Sequence, residues 1–243
     1  MRGNDTGALD AYGRALAIYP AYAEVHYNRG VLYQGQNKPK LAVSAYREAL
    51  EHDPDHVNTL INQAILLSRS GNFDGGKRFL NRAVELAPER ADVHYNLGLL
   101  LERENRRQAV KAYQRALEAA PGYEAAAINL AMLFRGMGRS VEMTAVYSEV
   151  LEANPRAYQA AYNLAVERER SGANKEALDS YRIALQGGGE MGAFSRLRMG
   201  ALFAAGGQAD SARAALSAFK TMWQGDARHI QTADRLLRKL ADR

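Results

Sequence analysis

The residues able to do chemistry are few, and their spacing argues against a catalytic centre. The chain of 243 residues contains no cysteine, which excludes disulfides, thiolate metal sites and cysteine nucleophiles. Its five histidines are His26, His52, His56, His94 and His229. His52 and His56 have the i, i+4 spacing of a helical metal pair, but Pro54 lies between them and interrupts the helix such a pair needs. His26 and His94 recur at equivalent places of a repeated pattern, where a packing role is expected. Residues Gly187 to Gly192 spell G-x-G-x-x-G. A dinucleotide site needs that motif between a strand and a helix. Here a helical pattern precedes it, so it reads as a flexible joint. The sequence holds no phosphate loop, nucleophile elbow or metalloprotease motif. The expectation is a non-enzyme, without metal, cofactor or small-molecule substrate.

One polar feature is regular. Counted within the repeated unit, the sixth residue is Asn28, Asn62, Asn96, Asn129 and Asn163. Asparagine is a mediocre helix former, so repeating it costs stability with no packing gain apparent from the sequence. Its amide both donates and accepts, as a peptide backbone does. One place earlier stand Tyr27, Ile61, Tyr95, Ile128 and Tyr162, and three places later Val31, Ile65, Leu99, Met132 and Val166. Arg69, Arg103, Arg135 and Arg170 follow near the ends of the same segments, with Glu102 and Glu169 adjoining two of them and expected to neutralise part of that charge. Amides beside tyrosines, aliphatics and a basic edge make a candidate peptide-binding surface.

The elements that must position these residues come from a period of 34. Gly30, Asn37, Ala42, Tyr46, Ala49 and Pro54 return 34 residues later as Ala64, Gly71, Gly76, Leu80, Ala83 and Pro88. Small residues where two helices approach, a breaker between them and a closing proline resemble the tetratricopeptide repeat family. The resemblance runs through almost the whole chain. It implies an all-α, right-handed α-solenoid of antiparallel helix pairs, with each first helix lining an inner surface. An asparagine at the sixth place is similar to the asparagine ladder of long arrays such as those in O-GlcNAc transferase, which implies that it holds an extended partner by its backbone. Another branch of the family grips C-terminal carboxylates of chaperones with lysine and asparagine. Tyr27 and Val31 stand at those places here, so that match fails.

The expected organisation is one solenoid over residues 1–243. It comprises a half repeat (1–22), five repeats (23–56, 57–90, 91–123, 124–157 and 158–192), a degenerate sixth (193–225) and a C-terminal capping helix (226–243). The half repeat reads Gly3 as breaker, then Ala8, Tyr12, Ala15 and Pro20. Either this helix caps the N-terminus or the sequence is cut from a longer array, and the residues leave both open. Leu9, Tyr12 and Leu16 on it are expected to be under-covered, a route to self-association. The breakers of the five repeats are Asn37, Gly71, Asn105, Gly138 and Gly172. The third repeat is one residue short after Asn105. In the fourth, Met143 and Val150 replace small residues and should push its helices apart. The six prolines are expected between units.

Of the formal charge of +5, residues 190–243 hold nine Lys/Arg against five Asp/Glu, so the basic character belongs to the C-terminal end. Aromatics are not interleaved with those cations, which disfavours nucleic acid. No apolar run approaches a membrane span, and a soluble, cytoplasmic protein is expected. The function implied is a scaffold binding an extended segment of another protein. The alternative is a regulatory or substrate-docking repeat region of a larger enzyme.

Overall fold

The computed structural model describes residues 2–241. Among them are fourteen helices and no strand, the expected all-α class. They form two compact units, residues 1–119 and 120–243. In the first, α1 (Arg2–Ile18) precedes three helix pairs: α2 (Ala23–Gly35) with α3 (Pro39–His52), α4 (Val57–Arg69) with α5 (Phe73–Leu86), and α6 (Ala91–Leu101) with α7 (Arg106–Ala119). The second holds α8 (Glu124–Gly136) with α9 (Ser140–Ala153), α10 (Tyr158–Arg170) with α11 (Asn174–Leu185), α12 (Gly189–Ala205) with α13 (Ala209–Met222), and α14 (Ala227–Ala241). Short connections make the partners antiparallel. Within each unit the first helices also touch one another, α4 with α6, α8 with α10 and α10 with α12. In each unit first helices thus form one layer and second helices another.

The turn inside a pair is set by the breaker. Gly172 has φ of +80°, a left-handed conformation that glycine adopts without the Cβ clash of other residues. Its N–H bonds the Glu169 carbonyl at 3.1 Å, and the next N–H, of Ala173, bonds the Arg168 carbonyl at 2.9 Å. This pair of bonds satisfies helix-end carbonyls that have no partner within the helix. The same two bonds recur around Asn37, Gly71, Gly138 and Gly207. Asn105 differs. Its side chain accepts from the N–H groups of Arg107 (3.1 Å) and Gln108 (3.2 Å), starting α7. The residue missing from the third repeat is absorbed by ending α6 at Leu101.

Contact within a pair centres on a tyrosine. Tyr46, Tyr113, Tyr147 and Tyr181 of the second helices are fully buried, and the eighth place of the first helix in each of these repeats is a small residue, Gly30, Gly98, Ala131 and Ala165. A Cβ added to Gly98 would lie 2.5 Å from the Tyr113 ring, so only glycine permits that approach. The second repeat uses Ala64 and Leu80 instead, both buried in the core with Leu60, Val93 and Leu100.

Several expectations need correction. Gly3 breaks nothing, since α1 runs through it from Arg2. Pro39 lies inside a repeat, at the start of α3, where a missing N–H costs nothing. The stretch read as a flexible joint is a tight turn. Gly187 and Gly188 donate to the Ala184 and Leu185 carbonyls at 3.1 and 3.2 Å, and α12 begins at Gly189. In the fourth repeat Met143 and Val150 are buried, and α8 and α9 pack less closely than the other pairs. The C-terminal helix lays Ile230, Ala233, Leu237 and Leu240 on α12 and α13. Met1, Asp242 and Arg243 lie outside the described residues.

The turn chemistry gives opposite signs at two equivalent positions. Gly172→Ala should lower stability by about 1 kcal/mol, and Asn37→Gly, at φ of +56°, should cost nothing or stabilise slightly. Urea denaturation of the two variants checks both.

Candidate functional site

Each buried tyrosine brings a hydroxyl that needs a partner. Tyr46 donates to Gln34 Oε1 at 3.0 Å, while Asn62 of the next repeat donates to the Tyr46 oxygen at 3.3 Å. Tyr113 donates to Glu102. Tyr181 donates to Glu169 at 2.8 Å. Gln34, Glu102 and Glu169 all stand at the twelfth place of a first helix, so the acceptor comes from the tyrosine's own repeat and the second contact from the following one. Asn163 repeats the arrangement by hydrogen-bonding Tyr147. In the sixth repeat the place of the asparagine is taken by Arg198, which reaches Tyr181 at 3.4 Å and Glu169 at 3.0 Å. Burial raises the hydroxyl pKa of Tyr147 and Tyr181. For Tyr46 burial pushes it to about 12, against the opposing effect of the Asn62 donor.

Two of the asparagines therefore have a packing partner that was not apparent from the sequence. Asn62 and Asn163 stitch one repeat to the one before. Asn28 bonds Glu24 within its own helix at 3.3 Å, and Asn96 bonds the Asp92 carbonyl at 2.8 Å. Asn129 is half-buried. Sequence reasoning missed the link because the tyrosine and the asparagine lie 16 residues apart in different repeats. The matching signal was the joint recurrence of both places, with Arg198 as its sixth member.

The neighbouring places divide. Tyr27, Tyr95 and Tyr162 are half-buried, with ring centroids 6.1, 5.9 and 5.8 Å from Tyr46, Tyr113 and Tyr181 respectively. Ile61 is 5% exposed and belongs to the core, while Ile128 is half-buried. The exposed apolar surface lies three places after the asparagines, at Val31 (41%), Leu99 (41%) and Met132 (50%), with Ile65 and Val166 half-buried. In the first unit, Ile65, Leu99 and Asn96 line a cleft of about 420 Å³ together with Ser68, Arg69, Phe73, Leu80 and Arg103. In the second, Met132, Asn163, Val166, Arg135 and Arg198 line one of about 510 Å³, which α14 borders with His229 and Thr232.

The basic residues are not neutralised as expected. Glu102 bonds Tyr113, and Glu169 pairs with Arg198 at 3.0 Å, leaving neither for the adjacent arginine. Arg170 pairs with Glu167 at 2.8 Å, and Arg135 reaches the same carboxylate at 3.7 Å. Arg135 also stands at the twelfth place, one before its supposed equivalents. Arg103 lies 5.0 Å over the Phe73 ring. His26 and His94 are buried and donate through Nε2 to the Pro20 and Pro88 carbonyls at 2.8 and 2.7 Å, holding the preceding loops. Among the described residues no group of three or more His, Cys, Asp or Glu is placed to hold a metal, and no helix is long and apolar enough to cross a membrane.

Two measurements check the hydroxyl contacts. Asn62→Ala should cost about 1 kcal/mol, whereas Asn96→Ala, which frees only an intrahelical bond, should be neutral or slightly stabilising because alanine is the better helix former. Urea midpoints separate the two. A tyrosine pKa raised in the folded state favours folding below its unfolded value of about 10 and ceases to do so as pH rises through the folded value. Melting temperature should therefore fall between pH 10 and about 12, less steeply in Tyr46→Phe.

Family models of the tetratricopeptide repeat match residues 2–37, 23–56, 61–106, 92–123 and 145–192. The type IV pilus assembly protein PilF of Pseudomonas aeruginosa is 31% identical over 136 residues, 55% of this chain and 54% of PilF. A probable UDP-N-acetylglucosamine–peptide N-acetylglucosaminyltransferase, SPINDLY of Hordeum vulgare, is 28% identical over 56% of this chain and only 15% of its own length. The chain thus spans about half of PilF and a small part of SPINDLY. Among solved structures, Pseudomonas aeruginosa PilF superposes with a TM-score of 0.67 at 19% identity, covering 88% of this chain and 97% of that one. YrrB, described as a repeat protein of this kind with an unusual peptide-binding site, superposes with a TM-score of 0.54 at 22% identity over 72% and 91%. With the repeat models matching most of its length and helix pairs of the same fold throughout, the chain belongs to the tetratricopeptide repeat family.

Proposed function

We propose that the layer of first helices binds an extended segment of another protein, and that the chain works as an interaction scaffold rather than an enzyme. The observation that carries this reading is the apolar row of the first unit, Val31 and Leu99 exposed with Ile65 half-buried between them in the pattern, beside asparagine amides on the same helices. Apolar side chains at a fixed place, repeated one helix apart, suit alternate side chains of an extended peptide, and neighbouring amides suit its backbone. The peptide-binding site named for YrrB supports the reading. So does the chemistry of the opposite layer, where Arg47, Arg82 and Arg115 are tied to Glu51, Asp55, Glu85 and Glu118. The repeat boundaries given above, with residues 1–243 as one array, belong to the same proposal. So do the binding roles of Asn28, Asn62, Asn96, Asn129 and Asn163 and of the flanking tyrosines and arginines. Asn96 is the asparagine best placed to offer its amide, since Asn62 and Asn163 hold tyrosines.

A second reading, a substrate-docking region of a larger enzyme, draws on the small share of SPINDLY that the chain covers. It uses the same surface and differs only in what is attached.

The test is selection of binders from a random decapeptide library. Selected peptides should bind with a dissociation constant of roughly 1 μM, about −8 kcal/mol. Val31→Asp and Leu99→Asp should each weaken a selected peptide at least tenfold, ~1.4 kcal/mol. A triple Gln replacement of Arg47, Arg82 and Arg115 should leave it unchanged. Peptides that respond only to the triple replacement would place the site on the wrong layer.

A further inference from the structure

The second repeat lacks its tyrosine, and a cleft lies where the tyrosine's contacts would be. In four of the five regular repeats a phenol fills the space between the twelfth place of its first helix and the following repeat. The corresponding three places around the second repeat are Ser68, Leu80 and Asn96. All three line the 420 Å³ cleft. With no hydroxyl to serve, Ser68 donates to its own helix at Ala64 (2.8 Å), and Asn96 donates to Asp92 (2.8 Å). The Asn96 side-chain carbonyl accepts no hydrogen bond among the described residues. The walls are apolar, from Ile65, Phe73, Leu80, Leu99 and Leu100. The rim carries Arg69 and Arg103, and among the described residues neither is paired with a carboxylate, Arg103 resting on Phe73 instead.

We infer that this cleft receives a tyrosine side chain of the partner segment, with acidic residues flanking that tyrosine. This deepens the proposed peptide site and rests on it. The guest ring lies against Leu80, which holds the place of Tyr46, Tyr113, Tyr147 and Tyr181, and its hydroxyl donates to the Asn96 carbonyl. Its carboxylate neighbours meet the two rim guanidiniums, a geometry to which arginine is suited. The cleft is of a size usual for small-ligand recognition. The protein therefore reads one residue of the segment by shape and the residues beside it by charge.

Leu80→Tyr supplies the ring from within. Repeats four and five already pair a tyrosine with an alanine at the eighth place, Ala131 with Tyr147 and Ala165 with Tyr181, so Ala64 leaves room for the substitution. The variant should fold with unchanged or higher melting temperature. Two probes separate the pocket from the wider surface. The first is p-cresol, the tyrosine side chain alone, followed by saturation-transfer NMR. The second is a blocked nonapeptide with one central tyrosine and two aspartates on each side, followed by fluorescence anisotropy, with alanine or lysine replacing the tyrosine or the aspartates.

The p-cresol signal should be present with the native chain and lost in Leu80→Tyr. The tyrosine peptide should bind at least tenfold tighter than its alanine version. That preference should vanish in Leu80→Tyr, and Arg69→Gln with Arg103→Gln should erase the preference for aspartate over lysine. A p-cresol signal unchanged in a folded Leu80→Tyr overturns the pocket. So do equal affinities of the tyrosine and alanine peptides, or an undiminished aspartate preference without the arginines. If p-cresol behaves as stated but neither this peptide nor any library peptide binds, the cleft is a phenol site, the partner assignment is overturned and the peptide-binding surface fails with it. If library peptides bind the Val31 and Leu99 surface while p-cresol does not bind, the surface stands and the pocket falls.

Discussion

A phenol cannot be buried in a helix pair without a partner for its hydroxyl, and this constraint organises the repeats. Leaving that group unsatisfied costs about 1–3 kcal/mol, so Tyr46, Tyr113 and Tyr181 recruit an acceptor from the twelfth place of their own repeat, Gln34, Glu102 and Glu169. Tyr46, Tyr147 and Tyr181 are also reached by the sixth residue of the repeat that follows, Asn62, Asn163 and Arg198 respectively. An asparagine in mid-helix, weak by propensity, is retained where its amide closes that contact. The same constraint reaches back into the first helix. Gly30 and Gly98 are glycines because the ring lies against them, and the turns at Asn37 and Gly172 bring each second helix back antiparallel over that ring.

The two layers differ in what their charges do. On the second helices, arginines are paired with acids on the same or an adjacent turn, as Arg115 is with Glu118 and Arg182 with Asp179. Exposed pairs of this kind contribute little to stability, typically under about 1 kcal/mol, and leave a neutral, water-facing surface. On the first helices several acids are drawn inward by tyrosine hydroxyls. Glu102 and Glu169 are thereby withdrawn from Arg103 and Arg170. The polar network that secures the core therefore also decides which cations face outward.

Much of the fold was legible because it is local and periodic. The spacing of small residues, breakers and prolines specified helix pairs, and the structure contains them. What failed were features that the repeat register alone does not decide. Gly3 matches a breaker by its place in the register, yet α1 runs through it from Arg2. Pro39 fits a first helical turn as well as a loop. The glycines around Gly188 form ordinary turn hydrogen bonds rather than a slack joint. At the candidate site, the recurrence of asparagine was visible, but its tyrosine partner was not, because contact between repeats is a property of stacking and not of adjacency in the chain. Exposure at the place before the asparagine was not legible either. Ile61 and Tyr27 share a place in the pattern, yet the isoleucine packs into the core while the tyrosine leans on a neighbouring ring.

The account stands or falls on which layer meets a partner. The direct measurement is a two-dimensional NMR titration with a library-selected peptide, following backbone amides and asparagine side-chain amides together. Chemical-shift changes should gather on α2, α4 and α6, strongest at Leu99 and the Asn96 side chain, while α3, α5 and α7 stay unchanged. Shifts gathered on the second helices, or an Asn96 amide untouched at saturation, would contradict the account.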